Sequence, residues 1–427
     1  MPVCAASLRN LVRNAGWVCA PFERGFLMIQ PAERTRKVEY AIRDILIIAE
    51  QAKAAGKQLL YLNIGDPMAF DYTTPRHMIE ACYRALLDNH TGYANSSGLL
   101  EGREAIGNAV RRKGIKSWLD LFVTSGASEA IELCLTALVN PGEEVLTPSP
   151  GYPLYSAVLG KIQAQNVPYY LDEENNWEPD IADIKNKITP KTRALVLINP
   201  NNPTGSQYSR EVLEEIVKLS IEHNIVVFSD EIYDKLVLDG EDSTSIASLS
   251  DEAPIITLNG LSKSYLVPGF RIGWAVVTGK KEMLSDYLDA VNKCLRARLC
   301  AVTPLQYAIK PALEGPQEHI AEVKAKLRRR RDITYSRLNA IPGISCVKPT
   351  AAFYAFPRLH IDQPDGQFVA DLIRETGVVV VHGDGFGQRP GTRHMRIVFL
   401  PQEQILEEAF DRLEKFMAQR ACKCAKA

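Results

Sequence analysis

Short apolar runs bounded by polar turns recur through the middle of this chain. Residues 121–123, 145–146, 194–198, 225–228 and 255–258 are each too short for a helix and read as buried strands. Between them lie stretches of helical periodicity, at 77–88, 99–113, from Ser128 through Val139, and at 210–222. Continuous apolar strands alternating with helices predict an α/β fold: a mostly parallel sheet covered by helices on both faces.

The flanks read differently. Residues 34–56 suit an amphipathic helix with Ile42, Ile45, Leu46, Ile48 and Ala49 on one side, followed by an apolar run at 59–62. After about residue 315 comes a long charged helix (317–338), then strands at 344–347 and 352–356. A helix (367–376), strands at 378–381 and 395–399 and a last amphipathic helix follow. These predict a large domain over 75–315 and a smaller α+β domain made of 28–74 and 316–427. Residues 1–27 carry Arg9, Arg13 and Arg24 against Glu23. That loosely suits a transit peptide, but an unstructured tail, or a start upstream of a natural Met28, is the expected reading.

In such sheets ligands gather at the carboxyl ends of the strands. Asn202, Asp230, Tyr233 and Lys263 all follow strand ends. A lysine there contributes little to packing, whereas an amine with a depressed pKa can form a Schiff base with a carbonyl. Arg271, beyond the Pro268-Gly269 turn, can return to the same crevice and hold a phosphate. Thr124 to Glu129 runs from a strand through small residues into a helix, so the free N–H groups of that helix offer an anion site. No Gly-Lys-Ser/Thr follows, which excludes a nucleotide P-loop. Gly65, in Asn63-Ile64-Gly65-Asp66-Pro67, lets the backbone approach a ligand closely.

Composition narrows the function class. The 427 residues carry 50 basic and 51 acidic side chains, so nothing global favours nucleic acid or an anionic membrane. No apolar stretch is long enough to span a bilayer. Nine scattered cysteines favour a reduced, cytoplasmic setting.

With these residues in view, the chain from about Met28 onward resembles the class I/II, fold-type I aminotransferases that use pyridoxal 5'-phosphate. The resemblance rests on Asn199-Pro200-Asn201-Asn202-Pro203-Thr204-Gly205, Asp230-Glu231-Ile232-Tyr233 and Asn259-Gly260-Leu261-Ser262-Lys263, in that order. Within the family it is closest to alanine aminotransferases, through Val38-Glu39-Tyr40-Ala41-Ile42-Arg43, Asn63-Ile64-Gly65, Arg298-Leu299-Cys300-Ala301 and Met395-Arg396-Ile397-Val398.

The resemblance implies roles. Lys263 would hold the cofactor covalently and, once released, carry the substrate's proton; Asp230 would pair with the ring nitrogen. Asn202 and Tyr233 would bond the ring's phenolic oxygen, and Tyr152 would stack on its face. Ala127, Ser128 and Arg271, with Ser262 nearby, would hold the phosphate. Tyr93 would reach it from a neighbouring subunit, implying a homodimer with shared sites. Arg396, with Gly65 and Asn202, would bind the substrate carboxylate. Where some relatives carry a phosphate-binding serine, this chain has Gly260. The implied reaction moves an amino group from L-alanine to 2-oxoglutarate; the alternatives are an aromatic or aspartate aminotransferase, or a C–S β-lyase.

Other features have plainer readings. Arg298 would select an acidic substrate side chain or serve structure. The basic run 328–331 is expected on a solvated helix face, and Gly383-Asp384-Gly385-Phe386-Gly387 as a turn. Cys422 and Cys424 lack a second ligand pair, so no metal site is expected.

Overall fold

The computed structural model describes residues 29–38, 41–240 and 242–424; the extension at 1–27 lies outside them. After a short strand β1 (Leu60–Tyr61), the central sheet is built from β2 (Asp120–Thr124), β3 (Glu144–Ser149), β4 (Gln165–Asp172), β5 (Glu178–Pro179), β6 (Thr192–Ile198), β7 (Val226–Asp230), β8 (Ile255–Gly260) and β9 (Gly273–Thr278). Its order is β2-β9-β8-β7-β6-β3-β4-β5. The pairs from β4 through β3, β6 and β7 to β8 are parallel; β9 runs antiparallel between β8 and β2, and β5 antiparallel to β4. Every residue of β7, β8 and β9 is buried, as a sheet covered on both faces requires.

Register gathers the chemistry. Ile198 lies opposite Asp230 and Asp230 opposite Leu258, while Gly260 and Thr124 both face Gly273. The carboxyl ends of β2, β6, β7 and β8 therefore finish along one edge, and the turns leaving them share one crevice.

The flanking segments meet each other. β1 pairs in parallel with Val378–Val379, and Met395–Val398 pairs with Tyr354–Ala355 and with Val381–His382. The single strand expected at 378–381 is thus two, because its halves bond different partners. The helix expected at 34–56 is also shorter: a 3-10 turn at Glu33–Lys37 precedes the α-helix Ala41–Ala54, with residues 39–40 outside the described set. Ile45 and Ala49 are buried in the core while Leu46 stays 41% exposed.

The basic run is only half a solvated face: Arg328 and Arg329 are exposed as expected, but the other two arginines are not. Arg330 and Arg331, on the helix Glu318–Ala340, are buried and paired with Asp71 at 2.8 Å and Asp239 at 2.5 Å. Guanidinium groups can be buried there because carboxylates and the carbonyls of Leu400 and Pro349 accept from their donors. Among the described residues no helix is long and apolar enough to cross a membrane.

Candidate active site

A cavity of about 570 Å³ opens at the strand-end crevice. Lys263, Asp230, Tyr233, Asn202, Ser262, Tyr152, Ala127, Ser128, Arg271, Gly65 and Arg396 all line it. Tyr93 does not; it is 85% exposed at the surface of this chain.

Lys263 leaves β8 after Leu261 and Ser262 and donates from Nζ to the Gly65 carbonyl at 2.8 Å. Burial depresses its pKa to about 8; Asp66 and Asp230 oppose the shift, while Arg396 and Arg271 add to it. A lysine so placed has a usable neutral fraction near neutrality.

Asp230 ends β7 and is buried. Burial raises its carboxyl to about 6, against the Ile232 N–H at 3.3 Å and the Tyr155 hydroxyl at 3.2 Å, which favour the anion. Tyr155 sits on the helix Leu154–Ile162, three residues beyond Tyr152. Tyr233 shares a 2.9 Å hydrogen bond between hydroxyls with Tyr354, another wall of the cavity.

Arg396, 2% exposed on the strand Met395–Val398, donates to the Asn63 carbonyl at 2.8 Å and to Asn202 Oδ1 at 3.3 Å. The Tyr354 and Phe386 rings flank its guanidinium, with centroids at 4.9 and 4.6 Å. The 383–387 turn is a 3-10 helix at Gly383–Phe386, and Phe386 makes it part of the site. Sequence reasoning missed Tyr155, Tyr354 and Phe386. The Phe353-Tyr354 aromatic pair within the expected strand 352–356 was the available signal for Tyr354; Phe386 had none.

The anion cradle follows from local sequence. Gly126, at φ +80° and ψ 162°, turns the chain from β2 into the helix Ala127–Leu138, whose first amides belong to Ala127 and Ser128. That backbone region is close to glycine-only. A Cβ on Gly126 would lie 2.3 Å from Arg271 Nη2, and one on Gly273 would lie 2.2 Å from the Ala127 nitrogen. A guanidinium thus rests against bare backbone at a helix N-terminus, which suits a phosphate. Gly260 has a packing reason as well: a Cβ there would stand 2.7 Å from the Ile272 carbonyl. Amine, carboxylate, phenol, helix N-terminus and two arginines in one cavity fit a phosphorylated pyridine aldehyde and an amino acid.

Arg298 is not part of this lining; it donates to the carbonyls of Val123 (2.8 Å) and Ser96 (3.2 Å) beside Glu129.

Comparisons with known proteins agree with this chemistry. The family profile "Aminotransferase class I and II" matches residues 57–413. The chain is 41% identical to the glutamate-pyruvate aminotransferase AlaA of Haemophilus influenzae over 371 residues, covering 85% of this chain and 91% of that protein. It is 39% identical to an alanine aminotransferase of Mycobacterium tuberculosis over 413 residues, covering 94% and 95%. The structure of an alanine aminotransferase from Pyrococcus furiosus superposes with a TM-score of 0.89 at 43% identity, covering 91% of this chain and all of that one.

Proposed function

The chain belongs to the class I and II aminotransferases, and from that premise we propose that it transfers the amino group of L-alanine to 2-oxoglutarate, giving pyruvate and L-glutamate. The meeting of the depressed Lys263 amine, buried Asp230 and buried Arg396 in one cavity carries the amino-transfer chemistry, and the likeness to alanine aminotransferases supports the choice of substrates. We further propose pyridoxal 5'-phosphate as cofactor. When bound, it supplies a carbonyl for the amino group and an electron-poor ring that stabilises the charge left at the substrate Cα.

The chain's own residues do the rest. The Ala127 and Ser128 amides and Arg271, with Ser262 beside them, hold the phosphate; Tyr152 packs on the ring face. Asn202 and Tyr233 hydrogen-bond the phenolic oxygen, and Asp230 keeps a proton on the ring nitrogen. Arg396 grips the substrate carboxylate, with the backbone at Gly65 alongside. Lys263 Nζ would take the substrate's Cα proton and carry it, a role its lowered pKa permits.

Two features of organisation belong to the same proposal. The chain works as a homodimer in which the partner subunit's Tyr93 completes the phosphate site. The described residues of 28–74 and 316–427 form the smaller domain; the β1 pairing with Val378–Val379 and the Arg412 bonds to Gln58 support this. A cytoplasmic setting accords with the free thiols of Cys82, Cys134, Cys294, Cys300 and Cys346.

The test is an absorbance titration of the cofactor-loaded protein with single amino acids and no acceptor. L-alanine and L-glutamate should discharge the long-wavelength band, and L-tyrosine and L-aspartate only weakly. Fast discharge by either of the latter moves the substrate assignment. Pyruvate and ammonia released from a β-substituted amino acid without acceptor would indicate a lyase.

A further inference from the structure

The segment after β7, Asp230-Glu231-Ile232-Tyr233-Asp234, has two sides. Asp230, Ile232 and Tyr233 line the cavity; Glu231 and Asp234 do not. Both of those acids are buried, at 2% and 6% exposure, which is costly for carboxylates without a partner. Their shared partner is Lys113, just past the helix Leu100–Arg112. Its Nζ donates to Asp234 Oδ2 at 2.9 Å and to Glu231 Oε2. The other Glu231 oxygen accepts from Ser229 Oγ at 3.0 Å and Ser245 Oγ at 2.6 Å.

We propose that Lys113 is a positioning residue for the cofactor site: its ammonium fixes the segment that presents Asp230 and Tyr233 and balances the charge beside Asp230. The inference rests on the pyridoxal phosphate reading above. Geometry carries it. One cation bonds the residue next to Asp230 and the residue next to Tyr233, so neither cavity-facing group can shift without straining a buried ion pair. Electrostatics acts the same way. The Glu231 charge favours protonation of Asp230, and Asp230 must stay ionised to hold a proton on a ring nitrogen. Although burial disfavours the Lys113 charge, Asp234 and Glu231 together keep it protonated.

The test compares wild type, Lys113→Met, Lys113→Arg and Glu231→Gln as full chains. It measures pyridoxal phosphate affinity, the pH titration of the loaded protein's absorbance, and thermal unfolding. Lys113→Met should weaken cofactor binding on the order of tenfold, as expected for coupled contacting groups, and move the spectral titration. Lys113→Arg should restore both. Glu231→Gln removes the neighbouring charge and should move the titration the opposite way; it decides the matter if Lys113→Met does not fold. Unchanged affinity and titration in both Lys113→Met and Glu231→Gln, with only a lower melting temperature, would overturn the inference and leave the functional reading standing. Failure of the wild type to bind pyridoxal phosphate would overturn both.

Discussion

The Tyr155 hydroxyl donates to Asp230 Oδ2 at 3.2 Å, so a residue outside the cavity lining helps hold the charge of one inside it. Burial pushes the Asp230 carboxyl up to about 6, and Tyr155 pulls against that. Tyr155→Phe keeps the ring and deletes the donor. The bond is made without the cofactor too, so its loss acts through the Asp230 charge, and pyridoxal phosphate affinity should fall on the order of tenfold near pH 6. The sign in pH follows: without the donor, Asp230 protonates at higher pH, so the loss should be larger near pH 6 than in alkaline buffer. Equilibrium dialysis at both conditions checks it; an equal loss at each would count against an electrostatic role.

Lys263 gives a second pH prediction. An ordinary lysine titrates at about 10.4, whereas burial brings this one to about 8. Only the neutral amine attacks a carbonyl. The rate at which cofactor-free protein captures pyridoxal phosphate should therefore rise with pH through about 8 and then level off. A stopped-flow rate profile still climbing toward the ordinary lysine value would show that the amine is not depressed. Lys263→Ala should abolish capture altogether.

The sheet and most of the site were legible in the sequence because both leave local signals. Apolar runs such as 255–258 can hardly be anything but buried strands, and Lys263 and Asp230 follow such runs directly. β4 and β9 were missed for opposite reasons. β4 opens with polar Gln165 and Asn166, is exposed along most of its first half and carries Pro168, while β9 opens with Gly273 inside a stretch that reads as a loop. Arg330 and Arg331 misled because a basic run is ordinarily solvated. Their carboxylate partners lie far away in sequence, at Asp71 and Asp239, and no local pattern announces them. Tyr155, Tyr354 and Phe386 were hidden for the same reason: their roles come from contacts across the fold.

Gly126 supplies a third prediction. Its φ of +80° with ψ 162° is strained for any side chain, and an alanine Cβ would stand 2.3 Å from Arg271 Nη2. Gly126→Ala should cost about 1–3 kcal/mol of stability, read as a lower urea midpoint with unchanged slope. It should also displace Arg271, so cofactor affinity should drop more than in a control substitution on the helix Ala127–Leu138 away from its N-terminus. Undiminished affinity would remove Arg271 and the helix amides as the phosphate site.

Arg396 separates substrate binding from cofactor binding. Its guanidinium is fixed by the Asn63 carbonyl and Asn202 Oδ1 and flanked by Tyr354 and Phe386, a setting that presents a planar fork to a carboxylate. A lysine in its place would keep the charge but lose the fork and the ring contacts, so Arg396→Lys is not conservative here. Losing one of two hydrogen bonds to a charged group costs about 1.5–3 kcal/mol, so kcat/KM for L-alanine should fall at least roughly tenfold, chiefly through KM. The loaded protein's absorbance spectrum and its pyridoxal phosphate affinity should hardly change, because the partner proposed for Arg396 is the substrate carboxylate. An amine lacking the α-carboxylate makes the control: its slow reaction should be the same in both proteins. If Arg396→Lys slowed that amine as much as L-alanine, the residue would be shaping the cavity and the carboxylate would be held elsewhere.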